Sequence, residues 1–113
     1  MISIILPCYN EEKSIENNVS KIKEEIIKTN KEYEIIVVDD GSTDSSKEKL
    51  KTLDIKIISH PHNLGYGAAL KTGIKNAKFD TIVISDIDGS YPPRHIPELI
   101  KIYEDSFNLG NGL

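Results

Sequence analysis

Cysteine is almost absent from this sequence of 113 residues, in which Cys8 is the only one. A single cysteine cannot form an intrachain disulfide, so the composition excludes a disulfide-stapled fold and fits a reducing compartment. Cys8 stands at the end of an apolar run and lacks the histidine-containing motif that activates a catalytic thiol. We therefore expect Cys8 to be a small core residue.

Long apolar runs are missing as well. No segment approaches the roughly 20 apolar residues that span a bilayer, and the apolar start of the chain lacks the basic region and the length of a secretory leader. The formal net charge of -4 gives no general attraction for nucleic acid or for an anionic membrane. These absences predict a cytoplasmic chain with no transmembrane segment and no nucleic-acid partner, and they leave peripheral membrane association open.

The sequence does contain a regular alternation of strand and helix patterns. Strands are expected at residues 2–6, 33–38, 55–59 and 81–85, and helices at about residues 12–29, just after residue 44, at 68–77 and after residue 92. The first helix is predicted by the helical spacing of Ile15, Val19, Ile22 and Ile26. Four strands alternating with four helices predict one α/β domain over residues 1–113, built on a mainly parallel sheet.

Polar clusters follow three of the predicted strands, at residues 7–11, 39–42 and 86–89. In open parallel sheets, ligands bind beyond the carboxyl ends of the strands. The three clusters are therefore expected to converge on one rim of the sheet, where they would form a ligand site.

Asp86 and Asp88 are the candidate metal ligands. Residues two apart in an extended segment point the same way, so both carboxylates can hold one hard cation, directly or through water. Mg²⁺ is usually held by one or two carboxylates together with substrate phosphates. The two residues alone would also suit an ordinary acidic turn, but their position after the apolar residues 82–84 favours a site for Mg²⁺ or Mn²⁺.

Asp39 and Asp40 follow another apolar strand and allow two interpretations. A carboxylate at this position can accept hydrogen bonds from a base N–H or from ribose hydroxyls, and Gly41 permits close approach of the backbone. The same segment also suits a turn that caps the next helix through Ser42 or Thr43. The two functions are compatible, and the residues alone leave both open.

Residues 62–69 resemble a dinucleotide-binding fingerprint only superficially, because Leu70 stands where the third glycine or alanine belongs. The small residues more simply allow a helix to pack closely on the sheet, with its first N–H groups near an anion. His60 and His62 are expected to be exposed loop residues rather than metal ligands. Lys71 is either a phosphate ligand or a solvated lysine on the helix.

Taken in order, these clusters resemble the motifs of glycosyltransferase family 2. The matching segments are residues 7–11 (PCYNE), 37–44 (VVDDGSTD), 63–69 (NLGYGAA) and 86–89 (DIDG). Within the family, the likeness is greatest to the dolichol- or polyprenyl-phosphate sugar transferases, and residues 92–93 and 96–99 continue that pattern. The resemblance covers roughly residues 1–104 and implies the type A glycosyltransferase fold, which is built on a Rossmann-like sheet.

The resemblance also implies roles for particular residues. Together with the patterns above, it gives a nucleotide-sugar site of Pro7, Tyr9, Glu11, Asp39, Gly41, Lys71 and Asp86. The corresponding site for Mg²⁺ or Mn²⁺ consists of Asp86, Asp88 and Ser90. Ser90 replaces the longer glutamine that the dolichol-phosphate group usually has there. No catalytic base can be named from the sequence.

The implied activity is transfer of a sugar, with inversion, from a nucleotide diphosphate sugar to a polyprenyl phosphate or a sugar. Family members continue into an acceptor-binding half that includes a general base. We therefore expect residues 1–113 to be an incomplete, truncated donor-binding domain whose exposed sheet edge favours self-association. The alternative is a non-catalytic nucleotide-sugar-binding fragment, or half of a split enzyme.

Residues 86–90 also resemble the nucleophile loop of haloacid-dehalogenase-type phosphatases, in which the first aspartate acts covalently and the second as acid and base. In that family the loop normally opens the domain and needs a lysine and acidic partners downstream. Only residues 91–113 follow the loop in this chain. Sugar transfer is therefore the favoured prediction over phosphate hydrolysis.

Overall fold

The computed structural model describes residues 1–88 of the chain, in which strands and helices alternate. They are β1 (Ile2–Cys8), α1 (Ile15–Ile27), β2 (Tyr33–Asp39), α2 (Ser46–Leu50), β3 (Lys56–Ser59), α3 (Tyr66–Lys75) and β4 (Thr81–Ile84). The predicted elements are confirmed in this range with small differences at their ends, and the helix expected after residue 92 lies outside it. None of the helices between residues 1 and 88 is long and apolar enough to cross a bilayer.

The four strands form one parallel sheet in the order β3-β2-β1-β4. At its centre, Ile5 of β1 pairs with Ile36 on one side and with Ile84 on the other. The chain builds outward from β1 to β3 and then returns to the opposite side of β1 for β4. The strand order therefore reverses between β1 and β4, and such a reversal leaves a crevice at the carboxyl ends of the two strands.

Apolar side chains cover both faces of the sheet, as the near-continuous apolar strands predict. On one face, α1 contributes the predicted stripe of Ile15, Val19, Ile22 and Ile26, all fully buried. On the other face, α3 packs on β1 and β2 through Ala69 and Gly73. A Cβ atom at Gly73 would overlap with the side chain of Ile5, so this glycine lets α3 approach the sheet closely.

Pro7 does not end the first strand, and the prediction that β1 stops at Leu6 is wrong. The strand continues to Cys8 and pairs with β2 along its whole length. The carbonyl of Cys8 accepts the Asp40 N–H, so the polar backbone groups of Cys8 point toward β2. The carbonyl of Ile5 accepts the Ser85 N–H, so those of Ile5 point toward β4. Backbone groups alternate between the two neighbouring strands from one residue to the next, so those of Pro7 point toward β4 like those of Ile5. The pairing of β1 with β4 has already ended at Ile84. Its missing N–H therefore costs the sheet no hydrogen bond.

Candidate active site

The loops that follow β1 and β4 border a cleft of about 410 Å³ at the carboxyl edge of the sheet. This is the crevice left where the strand order reverses. Among the described residues, those that line it are Pro7, Cys8, Tyr9, Glu11, Asp40, Asn63, Gly65, Tyr66, Ala69, Asp86, Ile87 and Asp88. The structure thus brings together the first and last polar clusters and the segment after β3, whereas the cluster after β2 contributes only Asp40.

The loop after β1 is joined to the loop after β2 by several hydrogen bonds. The Asn10 side-chain oxygen accepts the Thr43 N–H at 2.8 Å, and the Ser42 hydroxyl accepts the Asn10 N–H at 3.0 Å. The Ser46 hydroxyl accepts the Glu11 N–H at 2.9 Å. Asn10 adopts a left-handed backbone conformation, with φ of 54°, which asparagine tolerates better than most residues. These bonds fix the backbone on which Tyr9 and Glu11 reach the cleft.

The start of α2 differs from the prediction that Ser42 or Thr43 caps it. The helix begins at Ser46, and the carboxylate of Asp44 accepts the Ser46 N–H at 2.8 Å. The Ser42 hydroxyl and the Thr43 N–H are instead bonded to Asn10. The capping prediction is wrong because long-range bonds between the two loops use these groups, and a local sequence pattern cannot show such bonds.

The rim of the cleft concentrates negative charge. Burial raises the pKa of the Glu11 carboxyl, and the nearby carboxylates of Asp88, Asp44 and Asp86 raise it further. Asp86 is half-buried and Asp88 is exposed. Glu11, Asp86 and Asp88 come from the two loops that border the cleft, so a cation between them would relieve their mutual repulsion.

The acidic loop is anchored by the residue between its two aspartates. Ile87 is 1% exposed and packs in the core, where it forms part of the cleft lining between Asp86 and Asp88. The side-chain amide of Asn18, on α1, donates a hydrogen bond to the Ile87 carbonyl. Asn18 was missed by the sequence analysis, because a polar residue beside the apolar stripe of a helix gives no sign of a partner 69 positions away.

Asp39 is fully buried and is not among the residues that line the cleft. One of its carboxylate oxygens, Oδ1, accepts the Ser42 N–H at 3.1 Å. The other, Oδ2, is buried and has no hydrogen-bond partner within residues 1–88. An unsatisfied buried polar atom costs about 1–3 kcal/mol. The predicted contact of Asp39 with a nucleoside stays a prediction, and Oδ2 is the acceptor that this contact would use.

Asp40 and His60 form a buried pair that the sequence analysis did not identify. His60 was expected to be exposed, and that expectation is wrong: it is 8% exposed, and its Nδ1 lies 2.8 Å from Asp40 Oδ1. Asp40 also accepts the N–H groups of Leu64 and Gly65 at 2.9 and 3.0 Å. Burial alone would raise the pKa of Asp40, but the hydrogen bonds from His60, Leu64 and Gly65 outweigh it and lower the pKa.

The other predicted residues have varied positions. Cys8 is buried as expected, and burial, assisted by the charge of Asp39, raises its thiol pKa to about 12. Gly41 lies outside the cleft lining, and Lys71 is exposed on α3 and also lies outside it. Ser90 is outside the described residues. The ligand roles of Gly41, Lys71 and Ser90 therefore stay predictions.

The sequence model of the family described as "Glycosyl transferase family 2" matches residues 3–111. The chain belongs to this family. Among its curated relatives, the dolichol-phosphate mannosyltransferase of Pyrococcus furiosus is 35% identical over 115 residues, which cover 98% of this chain and 32% of that protein. The family resemblance stated from the motifs is thus confirmed.

Solved structures of glycosyltransferases share the fold. TarS 1-349 of S. aureus in complex with UDP-GlcNAc has a TM-score of 0.75 and 27% identity, covering 93% of this chain and 31% of that one. The mannosyltransferase PcManGT of Pyrobaculum calidifontis, in complex with GDP-Man and Mn²⁺, has a TM-score of 0.72 and 29% identity, covering 83% and 29%. The type A glycosyltransferase fold is therefore confirmed. The chain spans about a third of the length of these relatives.

The acidic residues of this family member fit a divalent cation. Within residues 1–88, no three His, Cys, Asp or Glu side chains are grouped closely enough to enclose a metal by themselves. The cleft instead offers the carboxylates of Asp86 and Asp88, which both belong to its lining. This is the ligand set of a Mg²⁺-like ion that completes its coordination with substrate phosphates and water.

Proposed function

We propose that the protein containing this chain transfers a sugar from a nucleoside diphosphate sugar, with a polyprenyl phosphate as the acceptor. The observation that carries the proposal is the convergence of the first family motif and the acidic motif on one cleft. Pro7, Tyr9 and Glu11 form one side of it, and Asp86 and Asp88 form the other. The proposed donor site lies between them.

The nucleoside is assigned to the side of the cleft formed by the loop after β1. Tyr9 is 43% exposed in the lining and offers a ring face on which a base can stack. Asp39 Oδ2 is a buried acceptor that a base N–H or a ribose hydroxyl would satisfy. Uridine and guanosine donors are both candidates, because the structural neighbours include a complex with UDP-GlcNAc and another with GDP-Man.

The diphosphate is assigned to the side of the cleft formed by Asp86 and Asp88. Carboxylates repel a bare diphosphate, so these residues need a cation, Mg²⁺ or Mn²⁺, to hold it. When bound, this ion would neutralise the charge that develops on the departing diphosphate. The first turn of α3 also reaches the cleft through Gly65 and Tyr66, and the N–H groups of a helix start favour an anion.

The acceptor follows from the chemistry of an inverting transfer. The acceptor oxygen attacks the anomeric carbon on the face opposite the diphosphate. A hydroxyl acceptor needs a general base to remove its proton, whereas a polyprenyl phosphate is already ionised. The name of the Pyrococcus relative includes dolichol phosphate, which supports the same acceptor class. Such an acceptor would bring the protein to a membrane surface.

A transfer assay tests the proposal. Radiolabelled GDP-mannose and UDP-GlcNAc are incubated with the chain, Mn²⁺ and a polyprenyl phosphate, and labelled lipid is extracted. Asp86→Asn with Asp88→Asn is the inactive control, and Glu34→Gln, at the opposite edge of the sheet, is the active control.

Labelled lipid that depends on Mn²⁺ and on the two aspartates is the result expected. The second candidate is nucleotide binding without turnover, because the groups that converge on the cleft are all assigned to the donor. Binding of a nucleoside diphosphate without transfer would therefore support a non-catalytic nucleotide-sugar-binding part or half of a split enzyme. Neither binding nor transfer would contradict both.

A further inference from the structure

The carboxylate of Asp40 connects the end of β2 to the segment at residues 60–66, which borders the cleft. Its Oδ1 lies 2.8 Å from His60 Nδ1 and accepts the Leu64 N–H at 2.9 Å, and its Oδ2 accepts the Gly65 N–H at 3.0 Å. Asp40 is 4% exposed. Three hydrogen bonds to one buried carboxylate therefore determine where this segment lies.

His60 extends this connection to α3. An ionised carboxylate only accepts hydrogen bonds, so His60 Nδ1 must carry a hydrogen and donate it to Asp40. In the neutral ring, Nε2 then accepts the hydrogen of the Thr72 hydroxyl, which lies 2.8 Å away. The side chains of Asp40, His60 and Thr72 thus form one chain of hydrogen bonds between β2 and α3.

Within residues 1–88, side-chain packing contributes little to holding this segment, although its first residue also donates its backbone N–H to the Asp39 carbonyl. Its larger apolar side chains point outward, since Leu64 is 49% and Tyr66 57% exposed, so burial of these side chains does not fix its position. Its backbone also lies so close to β2 that a Cβ atom at Gly41 would overlap with the backbone of His62. Asp40 therefore anchors a wall of the cleft that side-chain packing leaves weakly anchored.

We propose that Asp40 and His60 are positioning residues, which hold residues 63–66 as the wall of the cleft against the bound nucleotide. This inference rests on the proposed function, because the wall serves catalysis only if the cleft binds a nucleoside diphosphate. Asn63, Gly65 and Tyr66 line the cleft, and so does Asp40. Both carboxylate oxygens of Asp40 are bonded to His60, Leu64 and Gly65, so its carboxylate acts through this segment. Loss of the anchor weakens nucleotide binding without removing any group assigned to the nucleotide.

The test compares Asp40→Asn with a matched control, Glu34→Gln. The Glu34 carboxylate also accepts a backbone N–H, from Lys78, and the Ser3 hydroxyl at 2.6 Å, but it lies at the amino edge of the sheet. Binding of UDP and of GDP is measured by calorimetry with Mn²⁺. Amide exchange at Leu64 and Gly65 is followed by NMR in the same variants.

We expect Asp40→Asn to weaken the binding of the preferred nucleotide by about tenfold or more and to speed exchange at Leu64 and Gly65. Glu34→Gln should leave both unchanged. A folded Asp40→Asn that binds as the unaltered chain does would overturn the inference, and so would an equal loss in Glu34→Gln.

A second pair of variants covers failure of Asp40→Asn to fold. In His60→Asn, the side-chain amide nitrogen can take the place of Nδ1 and donate to Asp40. In His60→Gln, the amide nitrogen takes the place of Nε2 instead. His60→Asn should therefore retain more nucleotide affinity and slower exchange than His60→Gln, and equal values for the two would contradict the positioning role.

If the unaltered chain binds neither UDP nor GDP, the proposed function fails. The exchange rates then decide the inference separately: unchanged rates in Asp40→Asn overturn it, and faster rates support it.

Discussion

The two acidic motifs of this chain are used in different ways. Asp39 and Asp40 are adjacent, and their side chains lie on opposite faces of the sheet: Asp39 is bonded within the loop before α2, and Asp40 is bonded to the segment before α3. Asp86 and Asp88 are two apart, and both line the cleft on either side of the buried Ile87. Both pairs follow strands of the parallel sheet, yet only the second pair presents two carboxylates to the cleft.

The difference shows how spacing assigns function to similar residues. Side chains that are adjacent in an extended segment separate to two faces, whereas side chains two apart share one face. Asp39 and Asp40 therefore support two different loops, on the two faces of the sheet. Four predictions follow from this contrast and are ordered by the size of the expected effect.

The largest effect is expected from the pair that faces the cleft. Asp86→Asn combined with Asp88→Asn should abolish the gain in nucleoside diphosphate affinity that Mn²⁺ provides, because the cation loses both of its protein carboxylates. Calorimetry with UDP and GDP measures this gain, which we expect to be about 3 kcal/mol or more in the unaltered chain because two charged ligands are involved. A gain that persists in the double variant would show that other residues hold the cation.

Asp39 should give a smaller effect, confined to binding. Asp39→Ala removes the buried acceptor Oδ2 and should weaken nucleoside binding by about 1.5–3 kcal/mol, as expected for a hydrogen bond to a charged group, while the fold remains intact. Calorimetry and thermal melting of the same sample separate the two effects. If the variant melts much earlier and binds normally once folded, Asp39 is purely structural.

Asn18 tests whether the acidic loop needs its anchor. Asn18→Leu removes the hydrogen bond to the Ile87 carbonyl and should reduce the benefit of Mn²⁺ by about 0.5–1.5 kcal/mol, because Asp86 and Asp88 are then held less firmly. The measurement is nucleotide affinity with Mn²⁺ and with EDTA. Asn17→Leu, at an exposed neighbouring position, is the matched control, and an equal loss in both variants would contradict the anchor.

The smallest of the four effects is expected on stability, as a dependence of the contribution of Asp40 on pH. Its pKa in the folded chain lies below the ordinary value, so the ionised carboxylate stabilises the fold above the unfolded-state pKa of about 3.9. This contribution is lost as the pH falls through the folded-state pKa. The stability difference between the chain and Asp40→Asn should therefore be constant at neutral pH and shrink in acid. Denaturant unfolding across this range checks it, and a difference that grows in acid would contradict the assignment.

Most of the fold could be predicted from the sequence, because strand and helix patterns depend on local spacing. The buried stripe of α1 follows directly from the helical repeat of Ile15, Val19, Ile22 and Ile26. The end of β1 did not follow, since a proline normally stops a strand. The sheet pairing shows why Pro7 is tolerated: it points toward β4, and β1 no longer pairs with β4 beyond Ile5 and Ile84.

The residues that line the cleft could be predicted from the sequence better than the hydrogen bonds that hold them in place. Tyr9, Glu11, Asp86 and Asp88 follow strand ends, Pro7 lies near the end of β1, and all five residues line the cleft. The hydrogen bonds of Asp40 to His60 and of Asn18 to Ile87 join residues 20 and 69 positions apart. A local sequence pattern cannot show a partner so distant along the chain. His60 was therefore expected to be exposed, although it is buried.

The central claim is that the cleft binds a nucleoside diphosphate through a cation held by Asp86 and Asp88. The most direct measurement is calorimetry of the chain with UDP, GDP, UMP and GMP, each with Mn²⁺ and with EDTA. We predict that one diphosphate binds more tightly than its monophosphate, and that this preference requires Mn²⁺. Equal affinity for diphosphate and monophosphate, or affinity that EDTA leaves unchanged, would contradict the claim.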